Sequence, residues 1–240
     1  MQNSGIKLLV SPRSKEEALE CIKAKVDIID VKNPLEGSLG ANFPWIVKEI
    51  VELTKSEIPV SATIGDLPDL PGTASLAALG MATCGVKYIK AGLKGPKSIE
   101  SAIYLMKQIT KAVKDFKDDI KVVAAAYADY ERFGSINPLK IVDVAYNAGC
   151  DIAMIDTGIK DGKSLLNFLN KKNLIDLVKK GHEKGLEIAL AGSLKESDFI
   201  ILKEIEPDII GVRTAACDIS DRVKGKIKAD KIKVLRSLLF

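Results

Sequence analysis

A chain of 240 residues with 47% hydrophobic and 28% charged side chains can bury a large core as one domain. Its net charge of +4 comes from lysines spread along the chain, without the basic, aromatic-interleaved patch of a nucleic-acid binder. The four cysteines (21, 84, 150 and 217) form no CxxC pair and the one histidine, His182, stands alone, which excludes a zinc site and a Ser-His-Asp triad. Buried free thiols in a reducing compartment are expected instead. There is no run of 18 apolar residues, and the opening MQNSGIKLLVSPRSKEE lacks a signal-peptide core. A cytoplasmic protein with no membrane partner is the expectation.

In chain order, short apolar runs predict strands at 6–10, 26–31, 58–63, 86–91, 120–126, 151–156, 186–192 and 208–213. Longer segments of helical spacing separate them, for example 98–114 and 171–184. Only 5% of residues are aromatic, so Val, Ile, Leu and Ala must fill the core. Eight βα units predict an α/β fold, a single (β/α)8 TIM barrel spanning residues 1–240, with an open doubly wound sheet as the alternative. Alternate units also resemble one another (AKVDIIDVK, CGVKYIKAG, AGCDIAMID, IEPDIIGVR), anchored at Asp27, Lys87, Asp151 and Asp208.

Strand alternation and this repeat predict two interior layers. One holds Asp30, Lys90, Met154 and Gly211; the next, nearer the mouth, holds Lys32, Gly92, Asp156 and Arg213. Charge therefore gathers where barrel enzymes keep their active sites. A lysine at a strand end is most often a solvated residue. Here a second lysine, Lys90, and two aspartates are expected beside Lys32, and burial or a neighbouring cation favours the free amine that a nucleophile needs. Lys160 and Lys163 follow Asp156 in TGIKDGK, and either could supply an acid–base or phosphate-attracting group. Gly192 and Ser193, ahead of a helix expected from about Lys195, offer backbone amides to a phosphate, with Arg213 as an added cation. The basic stretch DRVKGKIK (221–228) reads as a solvated loop.

The blocks DIIDVKNPLEGSLGANFPW, VSATIGDLPDLPGT, YIKAGLKG, DTGIKDGKSL, ALAGS and IIGVRTAAC, in this order, resemble the (5-formylfuran-3-yl)methyl phosphate synthase family. The resemblance implies condensation of two glyceraldehyde 3-phosphate molecules into a furan phosphate, with loss of phosphate and water, in methanofuran biosynthesis. It implies Lys32 as the Schiff-base residue and Lys90 as proton donor and acceptor, with Asp30, Asp156 and Lys160 also implicated. In the expected sequence, Lys32 captures a ketone triose, and the derived enamine attacks the aldehyde of a second. No metal or other cofactor is called for, and the partner is a small phosphorylated substrate. Apolar helix faces leave a homo-oligomer open. The competing readings are a conventional Schiff-base aldolase, or a non-catalytic phosphometabolite-binding barrel. A DxK strand end also occurs in phosphate-ligand decarboxylases, but these need a further aspartate where this chain has NPLEG.

Overall fold

The computed structural model describes residues 5–239. Eight parallel strands close into a barrel in sequence order: β1 (Lys7–Val10), β2 (Ile28–Val31), β3 (Val60–Asp66), β4 (Tyr88–Gly92), β5 (Lys121–Tyr127), β6 (Ile152–Asp156), β7 (Glu187–Leu190) and β8 (Ile209–Val212). β8 pairs with β1 to complete the ring. Around it lie α1 (Lys15–Lys23), α2 (Pro44–Thr54), α3 (Pro71–Ala82), α4 (Ile99–Phe116), α5 (Ile141–Asn147), α6 (Lys171–Glu183), α7 (Phe199–Ile205) and α8 (Ala229–Ser237). Each expected strand is present, and the closed barrel replaces the open-sheet alternative. All four cysteines are buried and free.

The helix boundaries follow from local chemistry. Ser98 and Ser101 cap α4 reciprocally, while Pro44 and Pro71 stand in the first turns of α2 and α3, where a missing N–H costs nothing. Between helices and strands lies one apolar layer, rich in Ile, Val, Leu and Ala. A second, smaller cluster fills the barrel itself: Leu9, Ile28, Val123, Ala125, Ile152, Met154, Ala189, Ala191 and Ile209 among others.

The repeat anchors act at the strand starts. Asp27 accepts the amide of Leu8, Asp151 that of Val122, and Asp208 that of Ile188, so each aspartate ties its unit to a neighbouring strand. Lys87 departs from the pattern and pairs with Asp119 at 2.9 Å.

Two buried polar ties shape the mouth. Arg213, just after β8, directs Nη1 and Nη2 to the carboxylate of Glu17 on α1 at 2.8 and 3.1 Å, and Nη1 also donates to Ser11 O. This pair closes the β8–β1 seam. Asp66, at the end of β3, accepts the amides of Ser38 and Leu39 at 3.0 and 3.2 Å and the hydroxyl of Tyr127. It thereby pins the 33–43 loop across the barrel, with Leu39 buried in the interior cluster. A bulge between Thr63 and Asp66, with Gly65 at φ +117, turns Asp66 inward where plain alternation would have turned it out.

Removing one member of either tie strands its partners. Glu17→Ala leaves the Arg213 charge buried and unpaired and is expected to cost about 3–5 kcal/mol. Asp66→Ala leaves two amides and a phenol without an acceptor and is expected to cost about 3 kcal/mol, lowering the melting temperature by roughly 6–12 °C. Thermal and urea unfolding of both variants measure these losses.

Candidate active site

At the centre of the barrel, the carboxylate of Asp30 is completely buried and fully engaged. Ser11 Oγ donates to its Oδ2 at 2.9 Å and Ser61 Oγ to its Oδ1 at 2.8 Å. Lys90 Nζ stands 2.6 Å from Oδ1, and Lys32 Nζ 4.0 Å from Oδ2. Burial, the largest influence, opposes the Asp30 charge, but Lys90 and Lys32 outweigh it and hold the carboxyl below its ordinary value. Lys90 meets Asp30 as a close ion pair, and its Nζ has no other partner among the described residues.

Lys32 is only 5% exposed. Burial drives its ammonium down to about 7; Asp156 and Asp30 pull it back up, while Arg222 and Lys90 push further down. A substantial share of this amine is therefore neutral near pH 7. Asp156, at the end of β6, accepts Lys160 Nζ at 2.6 Å and its neighbour's amide, that of Thr157, at 2.7 Å. Burial works against the Asp156 charge, yet Lys160 and Lys32 hold the carboxyl far below the usual range. Lys160 also donates to Thr157 Oγ1 at 3.0 Å; burial lowers its pKa, against the pull of Asp156.

Lys32, Asp156 and Lys160 line one small cavity with Gly192, Ser193, Thr214, Arg213 and Arg222. Asp30 and Lys90 do not border it; they form the layer beneath, as the repeat register predicts. Gly192 (φ +115) and Ser193 (φ +48) both adopt left-handed backbone, and a Cβ on Gly192 would press on the backbone of Thr157. The amides of Gly192, Ser193 and Leu194 donate to no protein acceptor among the described residues. The helix expected from Lys195 begins only at Phe199, after a 3-10 turn at Glu196–Asp198, so loop amides rather than a helix end face the cavity. Beyond them lies a larger cleft of about 370 Å³, lined by Lys160, Ser193, Lys195, Thr214 and Arg222.

The structure departs from the sequence reading at two cations. Arg213 borders the cavity, but its guanidinium is turned to Glu17 and Ser11. Arg222, expected in a solvated loop, is instead half-buried over the mouth and donates through Nη2 to Gly37 O and Ser38 O at 2.9 and 2.8 Å. No strand periodicity or motif marks Arg222, because the loop that carries it is placed by contacts with 33–43. Lys163 is exposed, whereas Lys160 reaches Asp156.

The chain matches a model of the 4-HFC-P synthase family over residues 8–236. It is 53% identical over 231 residues to the (5-formylfuran-3-yl)methyl phosphate synthase of Methanocaldococcus jannaschii, covering 96% of this chain and 98% of that protein. The synthase of the same name from Methanopyrus kandleri is 48% identical over 233 residues, covering 97% and 98%. Solved structures similar to it include KGPDC from Streptococcus mutans, with a TM-score of 0.64 at 16% identity over 98% of both chains. A 3-hexulose-6-phosphate synthase also has a TM-score of 0.64 at 16% identity, over 98% of this chain and all of that one (100%). At such identities these structures speak to the fold alone. The match to that family's model and the identity to its synthase relatives make this chain an enzyme of the 4-HFC-P synthase family.

Proposed function

We propose that this enzyme joins two triose phosphates into (5-formylfuran-3-yl)methyl phosphate, with loss of one phosphate and water, through an imine on Lys32, and that it serves methanofuran biosynthesis. The observation that carries the reading is the buried Lys32 amine, brought to about 7 inside a ring of two aspartates and two further cations. The names of its synthase relatives support the product.

The carbon skeleton in that product's name constrains the chemistry. Ring carbon 3 bears three carbon neighbours, so the new bond must join the end carbon of one triose to the middle carbon of the other. The ketone-derived enamine of the expected order is nucleophilic at an end carbon, so its attack on an aldehyde carbon would give an unbranched chain, and that order is therefore revised. Lys32 condenses with the aldehyde of glyceraldehyde 3-phosphate, releasing water and giving an iminium. Loss of the C2 proton forms an enamine, whose electron pair expels phosphate from C3 and leaves an enol conjugated to the iminium. A second glyceraldehyde 3-phosphate isomerises to dihydroxyacetone phosphate, its C2 proton moving to C1 and its C2 hydroxyl proton to the C1 oxygen, and the nucleophilic C3 of the enol attacks the resulting ketone carbon. The acceptor's free hydroxyl closes on the C2 ketone, two dehydrations give the furan, and water releases the aldehyde from Lys32.

The residues suit these steps. Asp156 and Lys160 face the same cavity as Lys32 and can exchange protons with C2 and the enol oxygen. Lys90, in close contact with Asp30, can pass protons to Lys32 by way of that buried carboxylate. The amides of Gly192, Ser193 and Leu194 suit the phosphate that departs. A conventional aldolase would share Lys32 but release no phosphate and form no ultraviolet-absorbing furan. A non-catalytic barrel would leave Lys32 unmodified.

Incubation with glyceraldehyde 3-phosphate is expected to release phosphate and raise ultraviolet absorbance together, with both signals absent in Lys32→Ala. Borohydride added during turnover should reduce an adduct onto Lys32, read by peptide mass; an unlabelled Lys32 in an active enzyme sinks the imine. The pH dependence has a definite sign. Lys32 reacts as the neutral amine, so the rate of adduct formation should rise with pH across about 7 and then level. Asp156→Asn removes a charge that raises the Lys32 pKa, so the rising limb of that profile should move to lower pH.

A further inference from the structure

Arg222 is the cation that neither the motifs nor the mechanism has used. Its guanidinium is half-buried, and its Nε and Nη1 have no hydrogen-bond partner among the described residues. Nor is it ion-paired: the carboxylates nearest the mouth are committed elsewhere, Asp156 to Lys160, Asp66 to the 33–43 loop, and Glu17 to Arg213. Asp221, beside it, accepts the amides of Val223 and Lys224. A guanidinium keeps its charge at every working pH and presents a planar fork matched to phosphate.

Its position divides the mouth in two. On one side lie the Lys32 cavity and the 370 Å³ cleft, which share Ser193, Leu194 and Thr214. On the other is an open groove of about 560 Å³ under the loop that follows Lys32, lined by Pro34, Leu35, Gly37, Ser38, Gly158 and Val223 among others. Only Lys160 and Arg222 line all three spaces. Lys160 is already paired with Asp156, which leaves Arg222 as the available charge at the boundary.

We propose that Arg222 is a substrate-binding residue that receives the phosphate of the second, acceptor triose in the groove beside the 33–43 loop. The inference rests on the imine reading above and deepens it, because the reaction brings two phosphate dianions to one mouth. The triose on Lys32 reaches from the small cavity into the adjoining 370 Å³ cleft and sets its phosphate on the 192–194 amides. The acceptor must then approach from the remaining side, with its own dianion several ångströms from the first. A permanent cation between the two offsets their repulsion. The two seats also have different tasks: the first lets its phosphate leave, and the second holds a phosphate that stays in the product. Loop amides on the first seat and a fixed guanidinium on the second fit that division. Because Arg222 grips Gly37 O and Ser38 O, a filled second seat also holds the loop closed over the imine.

The test separates the two substrates. Wild type, Arg222→Gln and Arg222→Lys are charged with one equivalent of glyceraldehyde 3-phosphate, and the Lys32 adduct is quantified by borohydride and peptide mass. Its discharge by dihydroxyacetone phosphate is then compared with discharge by dihydroxyacetone, which lacks the phosphate. Compared above pH 8, where Lys32 is largely neutral with or without the Arg222 charge that lowers its pKa, Arg222→Gln should form the adduct to within about twofold of wild type. Its discharge by the phosphorylated acceptor should slow by about 10- to 100-fold, the scale of a lost charge-assisted contact, with Arg222→Lys in between. Discharge by dihydroxyacetone should be unchanged in either variant. Equal slowing with both acceptors would show a role in shaping the loop alone and overturn the proposal, as would unaltered kinetics or loss of the adduct in the variants only. Absence of an adduct in wild type instead defeats the imine reading, and the proposal with it.

Discussion

Everything at this mouth depends on a carboxylate that water cannot reach. Asp30 gathers hydroxyls from β1 and β3 and ammonium groups from β2 and β4 around one buried centre. A buried charge is tolerable only when paired and hydrogen-bonded, and removing one partner costs far more than the pair contributes. The four strands are therefore locked in one register, and the register fixes how far Lys32 stands from Asp156. The same centre settles the division of labour between the lysines. Lys90 lies against Asp30 at 2.6 Å, whereas Lys32 is 4.0 Å away and borders the cavity. Lys32 thus feels burial more than attraction and yields a neutral amine.

Around this centre the mouth is built from ties that use backbone as much as side chain. Asp66 and Arg222 grip the 33–43 loop from opposite sides, one through the amides of Ser38 and Leu39, the other through the carbonyls of Gly37 and Ser38. Ser38 Oγ adds a 2.7 Å bond to Thr157 O, next to Asp156. The loop that leaves Lys32 is thereby coupled to the strand that presents the acid. On the proposed imine route, such a loop would exclude water without a separate lid domain, where early hydrolysis would return the starting aldehyde.

The cationic side of the site follows the same economy. Arg213, the more conspicuous arginine at a strand end, is consumed in closing the seam with Glu17. Its Nε also donates to the carbonyl of Arg222 at 2.9 Å, so the structural arginine steadies the chain that carries the available one. Position at a strand end was a sound guide to where charge collects, but not to which charge remains free.

Strand alternation and the doubled βα repeat predicted eight parallel βα units, and that Asp30 would share a layer with Lys90 and Lys32 would lie near Asp156; closure into a barrel over an open sheet was decided by the pairing of β8 with β1. Period-two geometry leaves a side chain only two faces, and short apolar runs separated by helices leave few topologies. The same reasoning placed Gly192 and Ser193 at the mouth, since loop amides after a barrel strand have only that end to face. It failed where alternation or local chemistry was broken. A bulge after Thr63 reversed the side on which Asp66 points, and nothing in IGDLPDLPG records that reversal. As sequence, Arg213 at a strand end is the better-placed cation and Arg222 a loop residue; only tertiary packing reversed that order, because the buried Glu17 stands within reach of Arg213 and not of Arg222. Which cation is paired depends on residues nearly two hundred positions away, and that pairing is a property of the folded chain alone.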